Sequence, residues 1–199
     1  MRHARNGMRV IGGRLKGRKL GSFKGLSIRP TGDKVREAVF NIISRPGDAF
    51  AFRRVLDLFA GTGAMGIEAV SRGAQEAVFV DADPASITVV RKNLTLCNIV
   101  DARVYRGNAS EAVNRFAMKH EEYDLIFIDP PYASTLAADT LKAVDSSNIL
   151  SGDGVCVVET SKRTPLDVDL KRLLLADERH YGDTLVYIFK RGHLSCQDT

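Results

Sequence analysis

Asp57-Leu58-Phe59-Ala60-Gly61-Thr62-Gly63-Ala64-Met65-Gly66 is the stretch on which the fold turns. An apolar run enters a G-x-G-x-x-G sequence, and helical periodicity follows from Ala64 to Arg72. That order is the strand, glycine turn and helix of a nucleotide-binding unit. The glycines alone are a common pattern, and their context makes them specific. Asp81 closes the next strand-like run about twenty residues after Gly61, where a carboxylate can accept from both hydroxyls of a ribose. Gly61 and Gly63 let the backbone pass close to a ligand.

Asp57 places a second carboxylate in the strand that feeds the loop, close to where a pyrophosphate would sit. An anion there disfavours phosphate and favours the ammonium and sulfonium of S-adenosylmethionine. Asp57, Asp81 and Asp129 together then make an acidic pocket for a cationic cofactor. The competing role for Asp57 is to cap a nearby backbone segment. An NAD-dependent oxidoreductase is the rival reading of the loop. Asp83 precedes Pro84 and suits a helix cap, so Asp81 is preferred for the ribose.

Outward from the loop, short apolar runs alternate with longer periodic segments, which predicts an α/β fold on a parallel sheet. The strands expected are Val55–Phe59, Ala77–Asp81, Arg103–Arg106, Leu125–Asp129 and Val155–Glu159. Helices are expected near Ala64–Arg72, Pro84–Cys97, Ala109–Lys119 and Ser134–Ser146. Arg172–His180 and Thr184–Lys190 break the alternation as an antiparallel hairpin around Tyr181-Gly182-Asp183. Arg106-Gly107-Asn108-Ala109 closes the third strand; Asn108 can meet an adenine amine or cap the helix, two compatible roles.

Tyr123-Asp124-Leu125-Ile126-Phe127-Ile128 runs directly into Asp129-Pro130-Pro131-Tyr132. A nucleobase amine is a poor nucleophile because its lone pair is delocalised into the ring. The Asp129 carboxylate and the Pro130 carbonyl can accept its two hydrogens and aim that lone pair. Pro131 stiffens the backbone and Tyr132 offers a ring for stacking an extruded base. Taken alone, the same four residues are also an ordinary Pro-Pro turn with a surface Tyr.

The chain has 199 residues and a net charge of +5. Its first 30 residues hold nine Lys or Arg and no acid, leaving 20 basic against 24 acidic residues, a balance of −4, in the remainder. A basic arm on a mildly acidic body suggests a phosphate-rich partner, with Arg9, Arg14, Lys16, Arg18 and Lys19 as the grip. Met8 to Ile11 and Leu15 to Leu20, around Gly12-Gly13, read as a small hairpin rather than a transit peptide or a solvated tail. Val35, Ala38, Val39, Ile42 and Ile43 then recur at helical spacing. The organisation expected is a basic arm at 1–30, a catalytic domain at 31–191 and a frayed tail at 192–199. No run is long and apolar enough for a membrane span. Three scattered Cys and four His show no metal-ligand spacing, so reduced thiols, no metal and a cytoplasmic location are expected.

Met8-Arg9-Val10-Ile11-Gly12-Gly13, Arg29-Pro30-Thr31 with Val35-Arg36-Glu37, Asp57 to Gly66, and Asp129 to Tyr132 follow in an order that resembles the RsmD-type bacterial 16S ribosomal RNA guanine-N2 methyltransferases. The resemblance spans about residues 8 to 190. It implies a Rossmann-like class I methyltransferase, with a seven-stranded, mostly parallel sheet and S-adenosylmethionine as donor. The acceptor it implies is a guanine of small-subunit ribosomal RNA in an assembling 30S particle. It places Asp129 and Pro130 on the amine, Tyr132 on the base, Gly61 and Gly63 on the methionine part, Asp81 on the ribose, and Asn108 and Ala109 on adenine. Thr31 and Arg36 become lid or pocket residues, and a monomer is expected. The rivals are an adenine-N6 methyltransferase, which shares the Asp-Pro-Pro-Tyr chemistry, and a non-catalytic RNA-binding assembly factor.

Overall fold

Alternation of short apolar runs with amphipathic segments produces a seven-stranded sheet, seen in a computed structural model that describes residues 7–22, 32–44, 50–131 and 135–192. The strands are β1 (Arg54–Leu58), β2 (Glu76–Asp81), β3 (Ala102–Arg106), β4 (Tyr123–Ile128), β5 (Leu150–Ser161), β6 (Leu173–Tyr181) and β7 (Thr184–Arg191). The helices are α1 (Asp33–Ile43), α2 (Ala64–Arg72), α3 (Pro84–Leu96), α4 (Ala109–Met118) and α5 (Leu136–Ser146).

Strand order is β3-β2-β1-β4-β5-β7-β6. β1 pairs in parallel with both β2 and β4, so the chain reverses its direction of travel across the sheet between them. Such a switch point opens a crevice at the carboxyl ends of its strands, where ligands bind in open α/β sheets. β7 runs antiparallel to β5 and β6, and the expected terminal hairpin forms around Gly182.

Both faces of the sheet are covered, which explains why the central strands read as near-continuous apolar runs. On one face Val55, Phe79 and Phe127 pack with Phe40 of α1, Ile67 of α2 and Val90 of α3. On the other, Leu56, Val80 and Ile128 pack with Phe116 of α4 and Leu141 of α5.

The strand bounds differ from expectation at the functional edge. Phe59 and Asp129 lie just beyond β1 and β4, and Phe59 leaves its strand with a positive φ of 64°. β5 begins at Leu150, five residues before the expected Val155. α5 begins at Leu136 rather than Ser134.

The basic segment forms its hairpin as an antiparallel bridge between Arg9 and Lys19 around a 3₁₀ turn at Gly13–Leu15. It lies directly on the body: Met8, Val10, Leu15 and Leu20 belong to the core on the α1–α3 face. Gly13 has φ of 72°, and a Cβ there would collide with the Ser71 carbonyl of α2, so this approach admits only glycine. Most of the expected tail, 193–199, lies outside the described residues.

Candidate active site

The glycine turn and the ends of β1, β2 and β4 bring Asp57, Asp81 and Asp129 to one edge of the sheet. Gly61 and Gly63 have positive φ values of 55° and 77°. Gly66 packs α2 onto the sheet so closely that a Cβ would meet the Phe79 ring.

Asp57 is 3% exposed and its Oδ2 accepts the Gly66 N–H at 2.9 Å, closing one of the open donors at the start of α2. The capping role is therefore the contact made here. Burial pushes its carboxyl well above the usual carboxylate range and repulsion from Asp129 and Asp81 adds to this, against the opposing pull of the Gly66 N–H.

Asp81 holds the loop. Its Oδ2 accepts the Gly61 N–H at 2.7 Å and its Oδ1 the Asp83 N–H at 2.9 Å. A carboxylate has roughly four acceptor positions, so capacity for two ribose hydroxyls remains. Asp83 instead caps α3 by accepting from Ala85 N and Ser86 N, and these bonds hold its carboxyl below the usual range. Asp83 is thus committed to the start of α3.

Asn108 is the N-cap of α4, its Oδ1 accepting from Ser110 N at 2.9 Å and Glu111 N at 3.3 Å. An adenine amine is a donor and needs that oxygen, so Asn108 has chiefly its Nδ2 donor to present to the ring. Ala109 is buried in the first turn of the helix beside it.

Arg36 departs from its expected place. It is 1% exposed, and its Nη2 donates to the Arg9 carbonyl at 2.6 Å and to Asp33 at 3.0 Å. Its Nε stands 3.8 Å from the Glu68 carboxylate. So buried a guanidinium ties α1, the hairpin and α2 together and has almost no surface for a cofactor. Thr31 and Tyr132 lie outside the described residues.

Glu68 and Asn93 escaped the sequence reading. Glu68, 1% exposed, accepts from Ile11 N at 2.8 Å, Gly12 N at 2.7 Å and Arg72 Nε at 2.9 Å. Asn93, fully buried in α3, accepts from Gly21 N at 2.7 Å and donates to the carbonyls of Gly21 at 3.0 Å and Thr62 at 2.8 Å. One amide side chain thus joins the end of the hairpin to the glycine turn. The available signal was a polar residue on the inward stripe of an amphipathic helix, which cannot name its distant partners.

Arg9, Arg14, Lys16, Arg18 and Lys19 are all exposed, with Arg9 lying 3.7 Å from Asp33. Apolar side chains of the hairpin point into the body and cationic ones point out. Pro130 is buried, Pro131 exposed and Asp129 partly buried between them and β4. Among the described residues no group of three or more His, Cys, Asp or Glu could hold a metal, and no helix is long and apolar enough to cross a membrane.

Comparison with known proteins places this arrangement. A family model described as "Conserved hypothetical protein 95" matches residues 8–190. The chain belongs to that family, the RsmD-type methyltransferases. It is 40% identical to YlbH of Bacillus subtilis, across 92% of this chain and 99% of that protein. It is 31% identical to the Escherichia coli "Ribosomal RNA small subunit methyltransferase D", across 92% and 90% of the two chains. The structure of yhhF from Escherichia coli superposes with a TM-score of 0.78 at 32% identity, covering 92% of this chain and 97% of that one. The RsmD-type resemblance and the Rossmann-like methyltransferase fold both follow.

Proposed function

We propose that this chain transfers a methyl group from S-adenosylmethionine to the exocyclic N2 amine of a guanine in small-subunit ribosomal RNA. The observation that carries the reading is the placement of Asp129-Pro130 at the end of β4, across the switch point from the glycine turn on β1. A donor pocket and an amine-holding carboxylate thereby share one crevice.

The residues fit a cationic donor. Three carboxylates converge there, and their mutual repulsion helps to raise Asp57, an arrangement that a bound positive charge relieves and a pyrophosphate aggravates. The Asp81 carboxylate has acceptor capacity for a ribose, and Asn108 Nδ2 can donate to an adenine ring nitrogen. S-adenosylmethionine, when bound, supplies an electrophilic methyl group.

The chain's own residues do the remaining work by positioning. The Asp129 carboxylate and the Pro130 carbonyl accept the two amine hydrogens, localise the nitrogen lone pair and oppose the positive charge that develops on it. Proton loss can follow transfer, so Asp129 need not be a strong base. Tyr132 stacks the base, and the exposed cations of the hairpin hold the phosphates around it.

The relatives' names support ribosomal RNA as the substrate class, and a partly assembled 30S particle is the proposed form in which it is met. The chain acts as a cytoplasmic monomer. Labelled donor offered to naked small-subunit RNA, partly assembled particles and duplex DNA, followed by mapping of the modified base, tests the reaction and its substrate. Label on an N2-methylated guanine of small-subunit RNA is expected. An N6-methylated adenine would transfer the chain to the rival chemistry, and no label in any nucleic acid would favour a non-catalytic assembly role.

A further inference from the structure

On the α5 side of the sheet, the ends of β4 and β5 and the chain that follows β5 enclose a pocket of about 350 Å³, lined among others by Pro130, Pro131, Ala137, Thr160 and Leu166. This falls within the range of roughly 300–1,000 Å³ typical of small-molecule sites, which combine apolar walls with a few placed polar groups. Thr160 stands opposite Leu185 in the β5–β7 register, and Leu185 belongs with Val158 and Cys156 to the core on the α4–α5 face. Strand alternation therefore turns the Thr160 side chain toward the pocket's side of the sheet.

Thr160 is 7% exposed, and its Oγ1 is buried without a hydrogen-bond partner. Leaving a buried hydroxyl unpaired is costly, and Val would fill the same space at no such cost. A polar atom kept in that state beside a pocket is suited to a ligand that completes it.

We propose that the Thr160 hydroxyl hydrogen-bonds the edge of the acceptor base, next to the amine held by Asp129 and Pro130. This assignment rests on the methyl-transfer reading above. The two prolines and Leu166 provide apolar walls for a flat ring. A hydroxyl can donate to the O6 carbonyl of guanine or accept from its N1–H, both on the edge adjoining the N2 amine. Thr160 is thus a specificity-determining contact on the acceptor side, separate from the donor residues on β1 and β2.

The test compares wild type, Thr160→Val and Thr160→Ser in the full chain. Methyl transfer to partly assembled small-subunit particles, S-adenosylmethionine affinity by calorimetry and thermal stability are measured for each. Thr160→Val keeps the shape and loses the hydroxyl, so kcat/KM for the particle should fall about tenfold. Its donor affinity should be unchanged and its melting temperature unchanged or higher. Thr160→Ser keeps the hydroxyl and should retain at least about half of the wild-type kcat/KM. Wild-type kcat/KM in the Val variant would overturn the assignment, as would a Val variant that melts lower while Ser is equally impaired. A wild type that methylates no RNA would overturn the underlying reading, and the assignment with it.

Discussion

Asp57 joins two demands in one carboxyl: it caps α2 through Gly66, and the proposed function sets it beside a cationic donor. Burial first, then the Asp129 and Asp81 charges, raise its folded pKa above the ordinary value of 3.8. Between that value and the raised one the native chain binds more protons than the unfolded chain, so stability declines as pH climbs through the window. Asp57→Asn retains an acceptor for Gly66 and removes the titration. Its stability relative to wild type should therefore grow as pH rises above 3.8, as urea unfolding at several pH values would register. Asp81 makes the opposite case, since its two oxygens are held by Gly61 and Asp83 amides and the proposed function gives them the ribose. Asp81→Ala removes bonds to a charged acceptor worth about 1.5–3 kcal/mol each, so the donor dissociation constant should rise at least about tenfold in calorimetry. Unchanged affinity would remove Asp81 from the ribose. The Asp83 cap and the place of Asp81 at the end of β2 were legible from sequence, because Asp83-Pro84 announces a helix start and Asp81 closes an apolar run. The place of Arg36 was not legible. An Arg on a helix reads as exposed, and its burial depends on distant partners such as the Arg9 carbonyl, 27 residues away on the hairpin, and Glu68 on α2.

Elements were legible wherever their own residues sufficed to define them. α2, α3 and α4 begin where the glycine turn, Asp83-Pro84 and Asn108 said they would. β5 did not show its start, because Ser151-Gly152-Asp153-Gly154 is a poor strand sequence whose extension depends on Tyr123 pairing with Leu150 across a register shift. The edge strand β6 shows the same dependence on distant groups. Asp145, at the end of α5, accepts from Lys171 N, Arg172 N and Leu173 N, each at 2.8 Å, and so fixes the point at which β6 enters the sheet. Burial raises this carboxyl, and the three amides outweigh burial and hold it below 3.8. For such a group the stabilising contribution is complete above the unfolded pKa and disappears as pH falls through the folded one. Asp145→Ala leaves three amides without an acceptor and should cost about 2–4 kcal/mol at neutral pH in urea unfolding. The gap to wild type should narrow on acidification below pH 3.8; a gap that held constant would show that the carboxylate charge contributes nothing.

The whole molecule divides its charge as it divides its labour. The cationic side chains of the hairpin stand outward, while its buried apolar residues, Glu68, Ser71 and Asn93 fasten it to the helices that carry the glycine turn. The charge asymmetry was plain from the first 30 residues, whereas the docking needed partners 56 and 72 positions away. In the proposed function, RNA grip and donor binding would therefore use different side chains on one frame. Replacing Arg14, Lys16, Arg18 and Lys19 together by Ala removes exposed charge and leaves Met8, Val10, Leu15 and Leu20 in place, so the fold should persist. Affinity for small-subunit RNA should fall, and the slope of log affinity against log salt should flatten by about 0.7 to 0.9 for each phosphate that is no longer neutralised. Donor affinity should barely change, because these side chains are exposed on the hairpin and form no part of the glycine turn or the strand ends. Both quantities can be read from one preparation across a salt series. An unchanged RNA affinity and slope would assign substrate selection to the body of the domain, and the hairpin would then serve only to brace α1, α2 and α3 around the donor crevice.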